Sequence, residues 1–376
     1  MIYLDYNATT PVHPSVLDEM LPYFSDQFAN AASHTHVAGL AIGKEVEKCR
    51  AQIAALINAD PSEIIFTSGA TEGINMALKG VFEKYHLKGN HIIACKTEHK
   101  AVLDTCDYLK TKGAQIDYVD VDQDGLVNLD QLKGLINEKT IAVAIMMVNN
   151  ETGIIQPIDQ IAELVDEKDS IFISDTTQAM GKIAIDVQRQ GIDVLTISGH
   201  KLYGPKGVGA LYVRRKKPRV VLSPIIHGGG HEKGLRSGTL NVPGIIGMTA
   251  ALRSSYAAHK MSEISAIRDE VENRLLSSIP ELKVIGFKGE RVGNTSSLIF
   301  PNIHAEKLVV KCPNLAFSLG SACTSALPRP SHVLLAMGYT EEEIKGTIRL
   351  SYGIHNRIDE VEEIVDTLVQ AYQKLI

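Results

Sequence analysis

The sequence predicts an α/β fold, a mostly parallel sheet covered by helices on both faces, followed by a smaller α+β part. Two observations carry that expectation. From about residue 60 to 215, short apolar runs alternate with amphipathic stretches; parallel strands need a crossover between them, and a helix on the sheet face supplies it. After about residue 250 the alternation stops, and a long helical pattern leads into strand-like runs and a closing helix.

In chain order the strand candidates are "EIIFTS" (63–68), "HIIAC" (91–95), "QIDYVDV" (115–121), "IAVAIMMVN" (141–149), "IFISD" (171–175), "VLTIS" (194–198) and "GALYV" (209–213). Between them lie helical patterns such as "TEGINMALKGVFEKY" (71–85) and "IDQIAELVDEK" (158–168). In sheets of this kind ligands bind beyond the carboxyl ends of the strands. Later, Met261, Ile264, Ile267, Val271 and Leu275 form an apolar stripe at helical spacing. "LKVIGF" and "NTSSLIFP" read as strands, and "IDEVEEIVDTLVQAYQKLI" as the last helix. There is no internal repeat and no low-complexity linker.

At 376 residues, with 44% hydrophobic and 22% charged residues, the chain can build one large domain with a smaller one appended. A formal net charge of −6 gives no sign of nucleic-acid or membrane binding. The one dense basic run, "RRKKPR" (214–219), follows a strand and reads as a solvated turn, so no direct nucleic-acid contact is expected. "MIYLDYNATT" has neither a basic start nor an apolar run, so no signal peptide is expected. No apolar segment approaches the ~20 residues of a membrane span. Five cysteines without a C-x-x-C spacing argue against a disulfide framework and a zinc knuckle. These features predict a reducing, cytoplasmic setting and no metal.

The residues that carry chemistry sit at predicted strand ends. "FTSGATEGIN" ends a strand and opens a helix, so Ala70 and Thr71 lie where unpaired N–H groups bind anions; a simple N-cap fits equally. "IFISDTTQ" puts Asp175 at the end of a buried strand with Gln178 three residues on, and a buried aspartate needs a cationic partner or a capping role. "TISGHKLYGPKG" places Ser198, His200 and Lys201 at the next strand end. A strand-end lysine 26 residues after a strand-end aspartate is the pattern a pyridoxal phosphate site requires. The lysine anchors the aldehyde, and the aspartate keeps the pyridine nitrogen protonated so that the ring draws in electrons. A lone Arg349 in the strand-like "TIRLSY" suits a bidentate carboxylate clamp or a structural salt bridge.

Nearly every segment resembles the class V, fold-type I pyridoxal phosphate enzymes, and within them the cysteine desulfurases. The matching stretches are "YLDYNATTPV", "FTSGATE", "TEHKAVLDTC", "VNNETGIIQPI", "SGHKLYGPKGVGALYVRR", "HGGGHEKGLRSGTLNVP", "GSACTSA" and "IRLSYG". The resemblance implies a large cofactor-binding domain with a mostly parallel seven-stranded sheet over 13–250. It implies a small α+β domain from 1–12 and 251–376, carrying the loop with Cys323. Lys201 would be the Schiff-base lysine, Asp175 the partner of the pyridine nitrogen and Gln178 that of the ring hydroxyl. His99 would stack on the ring and shuttle protons, while Ala70, Thr71, Ser198 and His200 hold the phosphate. Thr239 would reach the phosphate of a neighbouring subunit, implying a homodimer, and Asn150 and Arg349 would hold the substrate carboxylate. Cys323, among the small residues of "SLGSACTSA", would attack the sulfur of L-cysteine, keep it as a persulfide, and pass it to a sulfur-acceptor protein.

Cys49, Cys95 and Cys106 lie in helical or strand patterns and read as packing thiols; Cys312 in "VKCPN" is assigned no role. "HGGGH" resembles an esterase oxyanion motif, but no G-x-S-x-G accompanies it. Ala29 and Ala31 stand where the family usually has Gly and Pro, and Thr176 where Ala is common. Housekeeping desulfurases of the family meet iron–sulfur scaffolds through a C-terminal extension that this sequence does not show, so the resemblance leaves the acceptor open among dedicated systems of cluster assembly, tRNA thiolation and DNA phosphorothioation. Two other classes fit parts of the pattern: a fold-type I lyase or aminotransferase with an incidental Cys323, and a non-catalytic sulfur-relay scaffold.

Overall fold

The apolar runs become strands because each can be buried on both faces. The computed structural model describes residues 1–216, 219–286, 289–320 and 330–376. In chain order its first strands are β1 (Ile2–Tyr3), β2 (Ile64–Thr67), β3 (His91–Cys95), β4 (Gln115–Val119), β5 (Thr140–Ala144), β6 (Ile171–Asp175), β7 (Val194–Ser198) and β8 (Gly209–Val213). Among the described residues, β2 to β8 form a seven-stranded sheet in the order β2-β8-β7-β6-β5-β3-β4. Only β8 runs against its neighbours β2 and β7; the other pairs are parallel. Every residue of these strands is buried except in β4, which lies at the edge.

Alternate residues feed two apolar layers, as the period of a strand requires. Ile65, Ile92 and Ala94 point to the face covered by the helices Ala70–Tyr85 and Lys100–Lys110. Ile64, Phe66, Ile93 and Cys95 point to the face covered by Val37–Leu56, Ile158–Asp166 and Val242–Ser254. Ala29 and Ala31 pack partly buried against that second layer.

The later strands are β9 (Lys283–Val284), β10 (Thr295–Ile299), β11 (Leu315–Ala316), β12 (Ser318–Leu319) and β13 (Thr347–Ser351). Four of them form an antiparallel sheet, β12-β13-β10-β9, while β11 pairs in parallel with β1. The helices Met261–Ser278 and Val361–Gln373 share an apolar cluster with this sheet and with Ile2 and Leu4. The N-terminal residues thus pack with the C-terminal part of the chain.

Two expectations need correction. The run 141–149 is regular strand only to Ala144; Ile145 and Met147 still donate to the Ile173 and Asp175 carbonyls (3.1 and 3.0 Å), and the chain turns at Asn149, whose side-chain oxygen accepts the N–H groups of Glu151 and Thr152 (2.9 and 3.0 Å). The basic run after β8 is not simply a solvated turn: Arg214 is largely buried and ion-paired with Asp193 at 3.1 Å, whereas Lys216 meets Asp60 at the surface. Positions 217 and 218 lie outside the described residues.

Candidate active site

The ends of β6 and β7 and the start of the helix Ala70–Tyr85 meet at one cavity of about 720 Å³, within the range of cofactor sites. Its wall includes Ala70, Thr71, His99, Asn150, Asp175, Gln178, Ser198, His200, Lys201 and Arg349, ten of the twelve residues singled out in the sequence. Thr239 is exposed and does not line the cavity. Cys323 lies outside the described residues, but Ser318, five positions before it, lines the wall.

Asp175 is the last residue of β6. Its Oδ1 accepts from the Thr177 N–H (2.9 Å) and the Thr196 hydroxyl (3.2 Å); among the described residues no hydrogen bond uses Oδ2. Lys201 ends the short 3₁₀ turn that follows β7. Its Nζ donates to the carbonyls of Asn7 (2.6 Å) and Ala8 (2.7 Å). Burial, with the Arg349 guanidinium adding, pulls its ammonium down to about 8, which makes a neutral amine accessible near physiological pH. His200 is held neutral by burial and the nearby lysines, its imidazole lowered to about 4, and its Nδ1 meets the Thr9 hydroxyl at 3.1 Å.

The helix Ala70–Tyr85 starts without a side-chain cap, so its first-turn N–H groups are left for a ligand. The preceding Gly69 has φ +152°, a conformation that favours glycine. Gly209 of β8 is packed against it; a Cβ there would lie 2.7 Å from the Gly69 Cα. His99 caps the next helix by accepting the Ala101 N–H at Nδ1 (3.1 Å), so its Nε2 is the nitrogen left for proton transfer.

Arg349 comes from the middle of β13, 6% exposed. Both readings of this residue meet in one geometry. Its Nη2 pairs with Asp5 at 2.7 Å and bonds the Ser318 hydroxyl at 3.1 Å, its Nη1 bonds the Asn150 carbonyl at 2.9 Å, and its Nε has no partner among the described residues. A structural ion pair therefore holds the guanidinium at the cavity wall with a donor to spare.

The fit to pyridoxal phosphate rests on these atoms. Thr177 and Arg349 both line the cavity, and Thr177 Oγ1 and Arg349 Nε are buried polar atoms that no described residue satisfies, a gap that a bound group with its own polar atoms would help to close. A carboxylate for the ring nitrogen, an amine for the aldehyde and an uncapped helix start for the phosphate surround the same space.

Sequence reasoning missed the residue that joins these groups. The Asn7 carbonyl accepts from Lys201 and from Gln178 Nε2 (3.0 Å), and its Nδ2 donates to the Asn150 carbonyl (3.2 Å) and Thr295 (2.9 Å). Its only sequence signal was a polar residue within "YLDYNATT". Glu98 was missed as well: its Oε1 accepts the Met146 N–H at 2.6 Å, and burial raises its carboxyl well above the usual range.

A family model described as "Aminotransferase class-V" matches residues 2–364. The relative named "Cysteine desulfurase IscS" from Histophilus somni (strain 129Pt) is 45% identical over 378 residues, covering 100% of this chain and 93% of its own length. Among solved structures, a "NIFS-LIKE PROTEIN" aligns with a TM-score of 0.92 at 36% identity, covering both chains completely. The structure titled "SspA in complex with cysteine" aligns with a TM-score of 0.83 at 37% identity over 93% of this chain and 98% of that one. The chain belongs to the aminotransferase class-V family, whose enzymes depend on pyridoxal phosphate. Within that family its place is among the cysteine desulfurases.

Proposed function

We propose that the chain converts L-cysteine to L-alanine and keeps the sulfur as a persulfide on Cys323 for an acceptor protein. The observation that carries this reading is one cavity that joins Lys201, Asp175 and His99 from the large sheet to Arg349 and Ser318 from the small one. Asn150 and Arg349 hold the substrate carboxylate, the latter with its spare Nε–H. Pyridoxal phosphate, when bound, supplies the electron-withdrawing ring that acidifies the substrate Cα–H. Lys201 takes that proton at Nζ, and His99 moves protons through Nε2. The net step breaks the substrate C–S bond, forms an S–S bond to Cys323, and carries the thiol proton to the carbon left behind, so cysteine plus thiol gives alanine plus persulfide.

The other thiols support this assignment. Cys49, Cys95, Cys106 and Cys312 are buried, and burial pushes Cys95 and Cys106 up to about 12 and Cys312 to about 11, leaving little thiolate. From Ser318 at the wall, five residues of chain span at most about 18 Å, a reach that would allow Cys323 to meet the reacting sulfur. Residues 13–250 would form the cofactor-binding unit, and 1–12 with 251–376 the unit that brings Arg349 and Cys323.

With substrate present, the wild-type protein should gain one sulfur atom by mass spectrometry and release alanine. Cys323→Ser should do neither. Alanine release by Cys323→Ser at the wild-type rate would replace this reading with that of a lyase.

The protein also reads as a homodimer. Thr239 is exposed and does not line its own cavity, and Leu21, Phe24, Phe28 and Val37 expose 51 to 82% of their surface within a short stretch, apolar surface that a partner copy would cover. Light scattering should give twice the chain mass, halved by Phe28→Glu with Phe24→Glu; a wild-type monomer would exclude the dimer. No helix among the described residues is long and apolar enough to cross a membrane, and a reducing cytoplasm suits a persulfide carrier.

A further inference from the structure

Behind the cavity sits a lysine that the chemistry above does not use. Lys182 is 8% exposed, and among the described residues no carboxylate lies within ion-pair distance of it. Its Nζ donates instead to two amide oxygens, Gln178 Oε1 at 2.7 Å and Asn7 Oδ1 at 3.3 Å. Asn294 Nδ2 also donates to Asn7 Oδ1, at 3.0 Å. A buried cation without an acid is costly, so its persistence needs a reason.

The reason lies in what an ammonium can accept, which is nothing. Gln178 must therefore turn its carbonyl oxygen to Lys182. Its amide nitrogen then donates one N–H to the Asn7 carbonyl at 3.0 Å and keeps the second. Gln178 lines the cavity, whereas Lys182 does not. Turned over, the same amide would present a carbonyl where an anionic oxygen has to be received.

We propose that Lys182 is a positioning residue that fixes the Gln178 amide with its N–H toward the cavity and places a buried positive charge behind the hydroxyl of the cofactor ring. The inference rests on the assignment of Gln178 to that hydroxyl. The surrounding charges leave Lys182 as the variable one. Burial, with Lys201 in the turn after β7 and Arg349 on β13 adding to it, lowers its ammonium to about 7, so the positive charge is present below that pH. The bond donated to Gln178 Oε1 is open to the ammonium and the neutral amine alike. Asp175 and Asp5 act on Lys201 rather than on Lys182. The phenols that share the small adjoining cavity, Tyr6, Tyr203 and Tyr352, are all raised by burial and stay neutral.

The test is a pH titration of the visible absorbance of the holoenzyme, which needs no turnover. A positive charge behind the ring favours its more anionic form. Lys182→Met should therefore raise the midpoint of the absorbance change by roughly one pH unit. Lys182→Gln, neutral but able to donate to Gln178, should raise it too, and carries the measurement if the methionine variant does not fold. A Lys182 that only fills space would lower the melting temperature and leave the midpoint in place, and that overlay overturns the proposal. A wild-type protein that takes up no cofactor at all would instead overturn the assignment of the site.

Discussion

The two ends of the cavity are held in different ways. At the cofactor end, Asp175, Ser198 and Lys201 sit within three residues of the ends of β6 and β7, strands buried at every position. Their placement follows from the backbone of a packed sheet. At the carboxylate end, Arg349 of β13 is fixed by Asp5, Ser318 and the Asn150 carbonyl, residues 344, 31 and 199 positions away. That end exists only once the N-terminal segment and both sheets have come together. The first end is a property of local structure, the second of assembly.

If the ends are separable, damage to one should leave the other intact. Arg349→Lys keeps the charge but loses the planar fork and the Nε–H. We expect a loss of roughly 1.5–3 kcal/mol in carboxylate binding, about 10- to 150-fold in kcat/KM and carried mainly by KM. The visible spectrum of the bound cofactor should stay that of the wild type. A variant that also loses its cofactor would show that Asn7, which touches Lys201, Gln178 and the Asn150 carbonyl together, has fused the ends into one unit.

The same difference explains what could be read from the sequence. Asp175, Ser198, Lys201 and the turn at Ala70 and Thr71 were legible because an apolar run followed by a polar residue marks a strand end without knowledge of the rest of the chain. The seven strands were legible for the same reason, apart from the end of the fourth of them, β5, which closes at Ala144. Asn7 was not: its partners lie 143 to 344 positions away, and nothing nearby in sequence marks it as a hub. Lys182 was equally hidden, since a lysine in "AMGKIAID" reads as a surface residue until the packing around it is seen.

A smaller and pH-dependent effect tests how the assembled end is tied to the chain around Cys323. Glu151, next to Asn150, is 5% exposed and accepts the Ser331 hydroxyl at 2.5 Å. The adjoining His332 meets the Glu98 carbonyl through Nε2 at 2.9 Å, so the stretch that follows residues 321–329 is fastened to the turns that carry Asn150 and His99. Burial, against the Ser331 bond and the Arg349 and Lys100 charges, raises the Glu151 carboxyl to about 7. A carboxyl that binds its proton more tightly folded than unfolded loses stability as pH rises from its unfolded value, near 4.5, through 7. Above pH 7 the buried charge costs its full amount; below 4.5 it costs nothing. Glu151→Gln keeps an acceptor for Ser331 and removes that charge. It should therefore be more stable than the wild type by about 1–3 kcal/mol at pH 8, with the gain vanishing toward pH 4.5. Denaturant melts of both proteins across this range measure the difference directly. A gain that does not change with pH would mean that Glu151 is held charged by its neighbours throughout, and that the carboxylate end is a fixed ionic framework as rigid as the strands opposite it.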